Sequence, residues 1–211
     1  QPLLPSVCLY SKIGEGHVMN QQLRVGIIGA GSMGTGIAQV AACAGHEVVL
    51  IDSRLEAAQR AVQTMAKDLA GAVARQRMSA TEADQAVARV CIGTSLSDLR
   101  DAGLIIEAAV EQLPVKQKIL AELEQYVSPQ TILATNTSSL SITAVAQGLQ
   151  HPERLAGLHF FNPATRMKLV EVIGGVATRM DVLETLHALA HTWGRSEEHT
   201  SELQSRLHLV C

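Results

Sequence analysis

The stretch "HFFNPATRMKLVE", residues 159–171, sets a histidine and a glutamate twelve residues apart, on either side of an Asn162-Pro163 turn. Histidine is the side chain whose ordinary pKa suits it to take up a proton near neutral pH. A carboxylate on its other ring nitrogen fixes the tautomer and favours the imidazolium that then forms. Two strands joined by a turn of seven or eight residues would lay His159 and Glu171 side by side as a base and its orienting acid. In the plainer alternative His159 ends one strand, Glu171 sits in another, and neither does chemistry. The choice depends on whether the chain also builds a place for a cofactor and a substrate.

Other reactive-looking residues carry less. His187 and His191 stand four apart in "HALAH", one face of a helix and the spacing of a zinc-binding pair. The intervening glutamate of a metalloprotease is missing and no third ligand is evident, so packing or solvation is expected there and no metal. Ser138 and Ser139 do not sit in a G-x-S-x-G elbow. Cys8, Cys43, Cys91 and Cys211 form no C-x-x-C pair, and two lie at the chain ends. A disulfide framework is therefore not expected, and a reducing compartment, the cytoplasm, is.

The cofactor signal lies upstream, in "LRVGIIGAGSMGTGIAQVAACAGHEVVLID". Leu23 to Ile28 is a short apolar, β-branched run, as a buried parallel strand requires. It ends in Gly29-x-Gly31-x-x-Gly34, and a helical pattern follows at Ile37, Val40, Ala41 and Ala44, stopped by Gly45. Gly29 permits the tight turn, Gly31 lets backbone approach a pyrophosphate, and Gly34 lets helix and strand pack closely. Ser32 and Met33 lie inside the loop, where the helix N-terminus offers unpaired N–H groups to phosphates. "EVVLID" is a second buried strand, placing Asp52 at its tip 18 residues after Gly34. An isolated glycine motif is weak, but strand, loop, helix and acid in this order point to a dinucleotide. Asp52 would bind the ribose hydroxyls and repel a 2′-phosphate, which favours NAD over NADP; Arg54 argues mildly the other way. A glycine turn in some other α/β protein is the alternative.

The remaining elements suit a doubly wound, mostly parallel sheet. "AGLIIEAAV" reads as a strand ending near Glu107, and "TILATNTSSLSITAVA" as a strand that breaks at Asn136 and restarts as a helix. Between them "PVKQKILAELEQYV" has apolar positions at Ile119, Leu120, Leu123 and Val127, an amphipathic crossover helix with Pro114 at its start. Residues 55–90 read as an Ala-rich helix pair, broken near Met78-Ser79, where "SATEAD" offers a capped restart. Ligands of such sheets sit at the C-terminal strand ends, where Glu111, Asn136 and Ser138 fall.

Composition removes other classes. Aromatics make up 2% of the 211 residues and the net charge is −3, so neither base-stacking platforms nor a basic surface invites nucleic acid. Membrane association is not expected either, because no run of 18 or so apolar residues exists. Hydrophobic residues at 47% and charged residues at 18% suit one folded domain.

With those motifs assembled, the chain closely resembles the NAD-binding domain of the 3-hydroxyacyl-CoA dehydrogenases. "GAGSMGTGIAQ", "EAAVEQLPVKQKIL", "TNTSSLSIT" and above all "LHFFNPATRMKLVEV" stand where that family has its signature segments. The resemblance implies a Rossmann-type fold and the oxidation of a (3S)-3-hydroxyacyl-CoA to a 3-oxoacyl-CoA, in fatty-acid β-oxidation or phenylacetate breakdown. It implies that His159 is the base and Glu171 its partner, with Ser138 at the substrate hydroxyl and Asn162 beside the nicotinamide. It also implies that Glu111 and Lys116 line the NAD site, and that Asp68 and Arg75 fall near CoA contacts. Arg166 departs from the pattern, since relatives usually carry a small apolar residue there, and it bears on acyl-chain preference. "HTWGR" is similar to the bacterial members that oxidise a 3-hydroxyadipyl-CoA-like intermediate. Three rivals remain: another NAD-dependent hydroxyacid dehydrogenase, which "HFFNP" disfavours; a non-catalytic, crystallin-like NAD-binding protein; and a fragment of a multifunctional β-oxidation protein, which Met19 just before the first strand disfavours.

Both ends of the chain read as foreign. Residues 1–18 make no signal peptide and Met19 resembles a natural start, so the upstream segment is expected to be non-native and the NAD-binding domain to span residues 19–195. "RSEEHTSELQS" is what a common sequencing adapter encodes, so residues 196–211 are expected to be an artefactual tail, the rival being a genuine polar one. By resemblance, the helical C-terminal domain that builds a homodimer is missing.

Overall fold

The computed structural model describes residues 23–201; the expectations for residues 1–18, Met19 and residues 202–211 lie outside that range. The described chain opens with β1 (Val25–Ile28), α1 (Ser32–Cys43) and β2 (Val48–Ile51), the two strands buried throughout. Two helices follow, α2 (Leu55–Ala74) and α3 (Ala80–Ala88). The restart at Ser79 is a capping box: the Ser79 hydroxyl accepts from the Glu82 amide, and the Glu82 carboxylate accepts from the Ser79 amide. Such a cap supplies partners for two otherwise orphaned helix donors.

The helical reading of residues 55–90 needs one correction. A third strand, β3 (Val90–Ile92), begins at its last residue and pairs with β2. Three residues are too few for a period-2 pattern to show, and pairing with a neighbour sets the strand.

Beyond it come β4 (Leu104–Glu107), α4 (Leu113–Leu123), β5 (Ile132–Thr135) and the one-turn α5 (Ile142–Val145). The described chain ends with β6 (Leu155–Phe160), β7 (Leu169–Gly174), α6 (Met180–Thr192) and β8 (Ser196–Ser201). The sheet order is β3-β2-β1-β4-β5-β6-β7-β8. From β3 to β6 every pairing is parallel; β7 turns back antiparallel to β6, and β8 runs parallel to β7.

The order reverses at β1 and β4, the switch point at which such sheets open a crevice. Alternate strand residues feed two cores. Ile27, Leu50 and Ile106 pack with Ile37, Met65 and Leu186 on one face, while Ile105 and Leu133 pack with Leu120 and Leu123 on the other. Ala38, Ala41 and Ala42 are fully buried on α1, small enough to bring that helix close to the sheet.

The sheet continues past residue 195, the boundary expected from the sequence. The Ser196 amide donates to the Lys168 carbonyl, and β8 keeps register with β7 along its whole length. A ladder needs only backbone donors and acceptors, so a polar segment can extend an open edge. No helix among the described residues is long and apolar enough to cross a membrane.

Candidate active site

At the switch point the chain leaves β1 through Gly29, whose φ of +104° lies in the region that favours glycine. A Cβ at Gly29 would stand 2.6 Å from the Ala108 carbonyl oxygen, and one at Gly34 would stand 1.8 Å from the Gly29 oxygen. A Cβ at Gly31 would meet nothing within 4 Å. Gly29 and Gly34 therefore let backbone touch backbone, while Gly31 leaves open space over the start of α1. No side chain caps that helix, and no acid lies in its first turn. Its leading N–H groups and partial positive charge stay available to a phosphate.

Asp52, just past β2, is tied to the same loop. Its carboxylate accepts from the Ala30 amide at 2.8 Å and from the Arg54 amide at 3.0 Å. Burial would raise the Asp52 carboxyl, but these amides and the Arg54 charge outweigh it and hold the group below its ordinary value. Gly29, Gly31, Ser32 and Asp52 line a cleft of about 1050 Å³ that continues past Val110 and Tyr126 to Pro163. An uncapped helix end, a glycine cradle a methyl group would fill and an anionic acid one strand away fit a dinucleotide with free ribose hydroxyls.

The other expected residues divide. Asp68 lines the far side of this cleft, whereas Arg75 caps the end of α2 and folds back over Gly71. Met33, expected at the cofactor, is half-buried and packs against the main core. Lys116, expected to line the NAD site, is fully buried and bound by Glu107 and Glu111. Neither Lys116 nor Glu111 lines the cleft, whereas Val115 and Ile119 of the same helix do. Helix α4 turns the residue inward because Lys116 shares a face with Leu120 and Leu123, which the core requires.

His159 and Glu171 are directly opposed partners across the antiparallel β6–β7 pair. Residues 161–168 form the turn, with a cis peptide at Asn162-Pro163 and the Pro163 carbonyl accepting from the Arg166 and Met167 amides. His159 Nδ1 donates to Glu171 Oε2 at 2.7 Å. With the proton on Nδ1, Nε2 keeps its lone pair and is the free basic nitrogen. The two side chains are 15% and 27% exposed, open enough to meet a substrate and sheltered enough to hold one geometry. Phe161 stacks a tilted ring at 4.5 Å from the imidazole. Asn162 and Arg166 are both exposed in the turn. Asn136 Oδ1 accepts from the Phe160 amide at 2.8 Å and ties the end of β5 to the strand that carries the histidine.

Ser138 follows β5 and is gathered by Glu111. Glu111 Oε1 accepts from Thr137 Oγ1 at 2.5 Å, the Ser138 amide at 2.9 Å and the Ser139 amide at 3.2 Å, with the Ser138 hydroxyl at 3.5 Å. Burial again raises the Glu111 carboxyl, but the Thr137 and Ser138 bonds and the Lys116 charge bring it below its ordinary 4.5. A depressed carboxyl contributes stability that is complete above its unfolded value and is lost as pH falls through its folded value. The melting-temperature difference between wild type and Glu111→Gln should therefore stay constant from neutrality down to about pH 4.5 and shrink below it, wild type having the steeper acid limb. Equal acid limbs for the two proteins would show that Glu111 carries no such linkage.

Two contributors escaped the sequence reading as site residues. Glu107 showed only as the end of a strand, although an acid closing an otherwise apolar run is a signal in itself, since buried charges need partners. Thr137 gave no signal, because a threonine in a loop has many uses. Among the described residues no group of three His, Cys, Asp or Glu side chains could hold a metal ion, so His187 and His191 gain no third ligand.

Comparison with known proteins gives this geometry a lineage. Residues 24–199 match the family described as 3-hydroxyacyl-CoA dehydrogenase, NAD binding domain. The chain is 47% identical over 171 residues to a 3-hydroxyadipyl-CoA dehydrogenase of Escherichia coli, covering 81% of this chain and 36% of that protein. It is 44% identical over 155 residues to a 3-hydroxybutyryl-CoA dehydrogenase of Bradyrhizobium diazoefficiens, covering 74% and 53% respectively. The crystal structure of a 3-hydroxybutyryl-CoA dehydrogenase from Escherichia coli K12 superposes with a TM-score of 0.85 at 44% identity, over 87% of this chain and 39% of that one. The chain thus spans 36% and 53% of the two curated relatives. A match that begins at Arg24 and runs into β8 takes in the glycine loop, the cleft and the paired strands together: the chain belongs to the 3-hydroxyacyl-CoA dehydrogenase family and carries its NAD-binding domain.

Proposed function

We propose that this chain is the cofactor-binding part of an enzyme that oxidises (3S)-3-hydroxyacyl-CoA to 3-oxoacyl-CoA with NAD. The observation that carries the reading is the His159–Glu171 pair, with its free Nε2, on two strands whose connecting turn lines the cleft through Pro163, Ala164 and Thr165. Oxidation of a secondary alcohol removes a hydride from carbon and a proton from oxygen. Bound NAD supplies the hydride acceptor. His159 Nε2 takes the hydroxyl proton, and Glu171 holds the ring in position and stabilises the imidazolium. Ser138 would turn its hydroxyl from Glu111 toward the substrate oxygen, and Asn162 would serve the nicotinamide end of the cofactor.

The 3-hydroxyadipyl-CoA relative and the "HTWGR" segment favour an acyl chain of that type, handled in the cytoplasm by a full-length homodimer. Alone, the chain should show little turnover. In that case no second domain excludes water around His159 or holds the acyl-CoA in place, and misplacement alone can cost about 10²-fold.

Cofactor choice is the direct test on the chain itself. Asp52 would face the 2′-phosphate of NADP, and a hydrogen bond to a charged group is worth about 1.5–3 kcal/mol. NADH is therefore expected to bind at least about tenfold more tightly than NADPH in fluorescence titrations. Equal affinities would remove Asp52 from its role. For the full-length enzyme, NADH oxidation with 3-oxoacyl-CoA esters of several lengths is the decisive assay; absence of turnover with every ester would overturn the reading.

A further inference from the structure

Glu107 raises a question that the proposed chemistry leaves unanswered. It closes β4, a strand buried on both faces, and its side chain is 0% exposed. A carboxylate in such a place is strongly disfavoured unless fully paired, and a leucine would serve the core at least as well. Glu107 is fully paired. Oε1 accepts from the Ala109 amide at 2.7 Å and Lys116 Nζ at 2.9 Å, while Oε2 accepts from Lys116 Nζ at 3.0 Å and Thr135 Oγ1 at 2.6 Å.

Lys116 links this buried acid to a half-exposed one. Its ammonium, also 0% exposed, lies 3.3 Å from Glu111 Oε2, so one lysine serves two carboxylates. Glu111 in turn spends its other oxygen on Thr137, Ser138 and Ser139. A continuous chain of charge-assisted bonds therefore runs from the end of β4, just before the cleft-lining Ala108 and Ala109, to the segment that carries Ser138. Without Glu107 the lysine has only Glu111 to satisfy it, and would draw that carboxylate inward, away from the serine amides.

We propose that Glu107 is a positioning residue, acting through Lys116 and Glu111 to hold the Thr137–Ser139 segment in place after β5, the strand paired with β4, whose continuation at Ala108 and Ala109 lines the cleft. The effect on cofactor binding rests on the NAD reading above; the effect on the segment does not. A purely structural pair makes a different forecast, since restoring charge balance would then restore everything.

The test uses the chain as it stands with Glu107→Gln, Lys116→Met and the double variant, read by thermal melting, amide hydrogen exchange and NADH titration. Each single variant should melt lower, lose at least about tenfold protection at the Ser138 and Ser139 amides and bind NADH about tenfold more weakly, the scale of coupling within one network. The double variant removes the unpaired buried charge and should regain most of the melting temperature, yet neither the amide protection nor the affinity. If the double variant regains all three together, or if exchange at Ser138 and Ser139 is unchanged in Glu107→Gln, the proposal fails. Should a single variant not fold, the double variant's exchange against wild type decides alone. If wild type binds no NADH while the exchange pattern follows the forecast, the cofactor reading fails and the positioning role stands.

Discussion

His159→Gln, placed in a full-length enzyme built on this chain, is expected to lower turnover by about 10²–10⁴-fold, the usual contribution of a general base. Glutamine is close in size and can still hydrogen-bond to Glu171, so the β6–β7 pairing should survive. It has no basic nitrogen to take the proton. NADH affinity should stay essentially unchanged, because the imidazole does not belong to the glycine loop or the strand end proposed to hold the dinucleotide. The loss should therefore appear in kcat, with normal NADH titration and a normal melting temperature. A variant that turns over at near the wild-type rate would reduce the pair to a structural contact, the plainer reading of its sequence spacing.

Gly34→Ala should be as damaging, for a different reason. The added methyl would stand 1.8 Å from the Gly29 oxygen and 2.9 Å from its carbon, both backbone atoms with no rotamer to change. Helix propensity favours alanine by about 1 kcal/mol. Overpacking at a closed contact costs about 1–3 kcal/mol or more, so the clash outweighs the propensity gain. Relief requires moving the glycine loop away from α1, which displaces the uncapped amides proposed to bind the phosphates. Two such charge-assisted bonds at about 1.5–3 kcal/mol each correspond to a loss of NADH affinity beyond about 100-fold. Gly31→Ala separates the causes. Its methyl would enter open space, so the melting temperature should hold while NADH affinity still falls, because the methyl occupies the approach of the pyrophosphate. Wild-type melting and affinity in Gly34→Ala would mean that loop and helix do not pack as described.

Local spacing carried most of the cofactor side of the site. Strand, glycine loop, helix and Asp52 lie within 30 residues, and each signal acts over one turn of chain: the apolar run, the glycine intervals, the stop at Gly45. The His159–Glu171 pair was legible for a similar reason. Two strands joined by a short turn allow few registers, and the one adopted pairs the two residues directly. Ser79 and Glu82 likewise announced their capping box by a three-residue interval.

What needed the folded chain was everything set by which surfaces meet. The β3 strand exists because three residues find β2 beside them, and β8 because β7 presents an open edge. Met33 sits in the loop's sequence, but the packing of α1 turns its side chain to the core. Lys116 carries a charge that sequence alone directs outward to a cofactor. Leu120 and Leu123 on the same face of α4 must be buried, and the lysine goes in with them. Only there does it find Glu107, nine residues away and on another element, and so join β4 to Ser138. The sequence by itself determined the turn-length motifs, because bond geometry and glycine freedom act between near neighbours. The tertiary structure alone decided the buried network, because the penalty for burying a charge depends on which partners the whole fold brings to it.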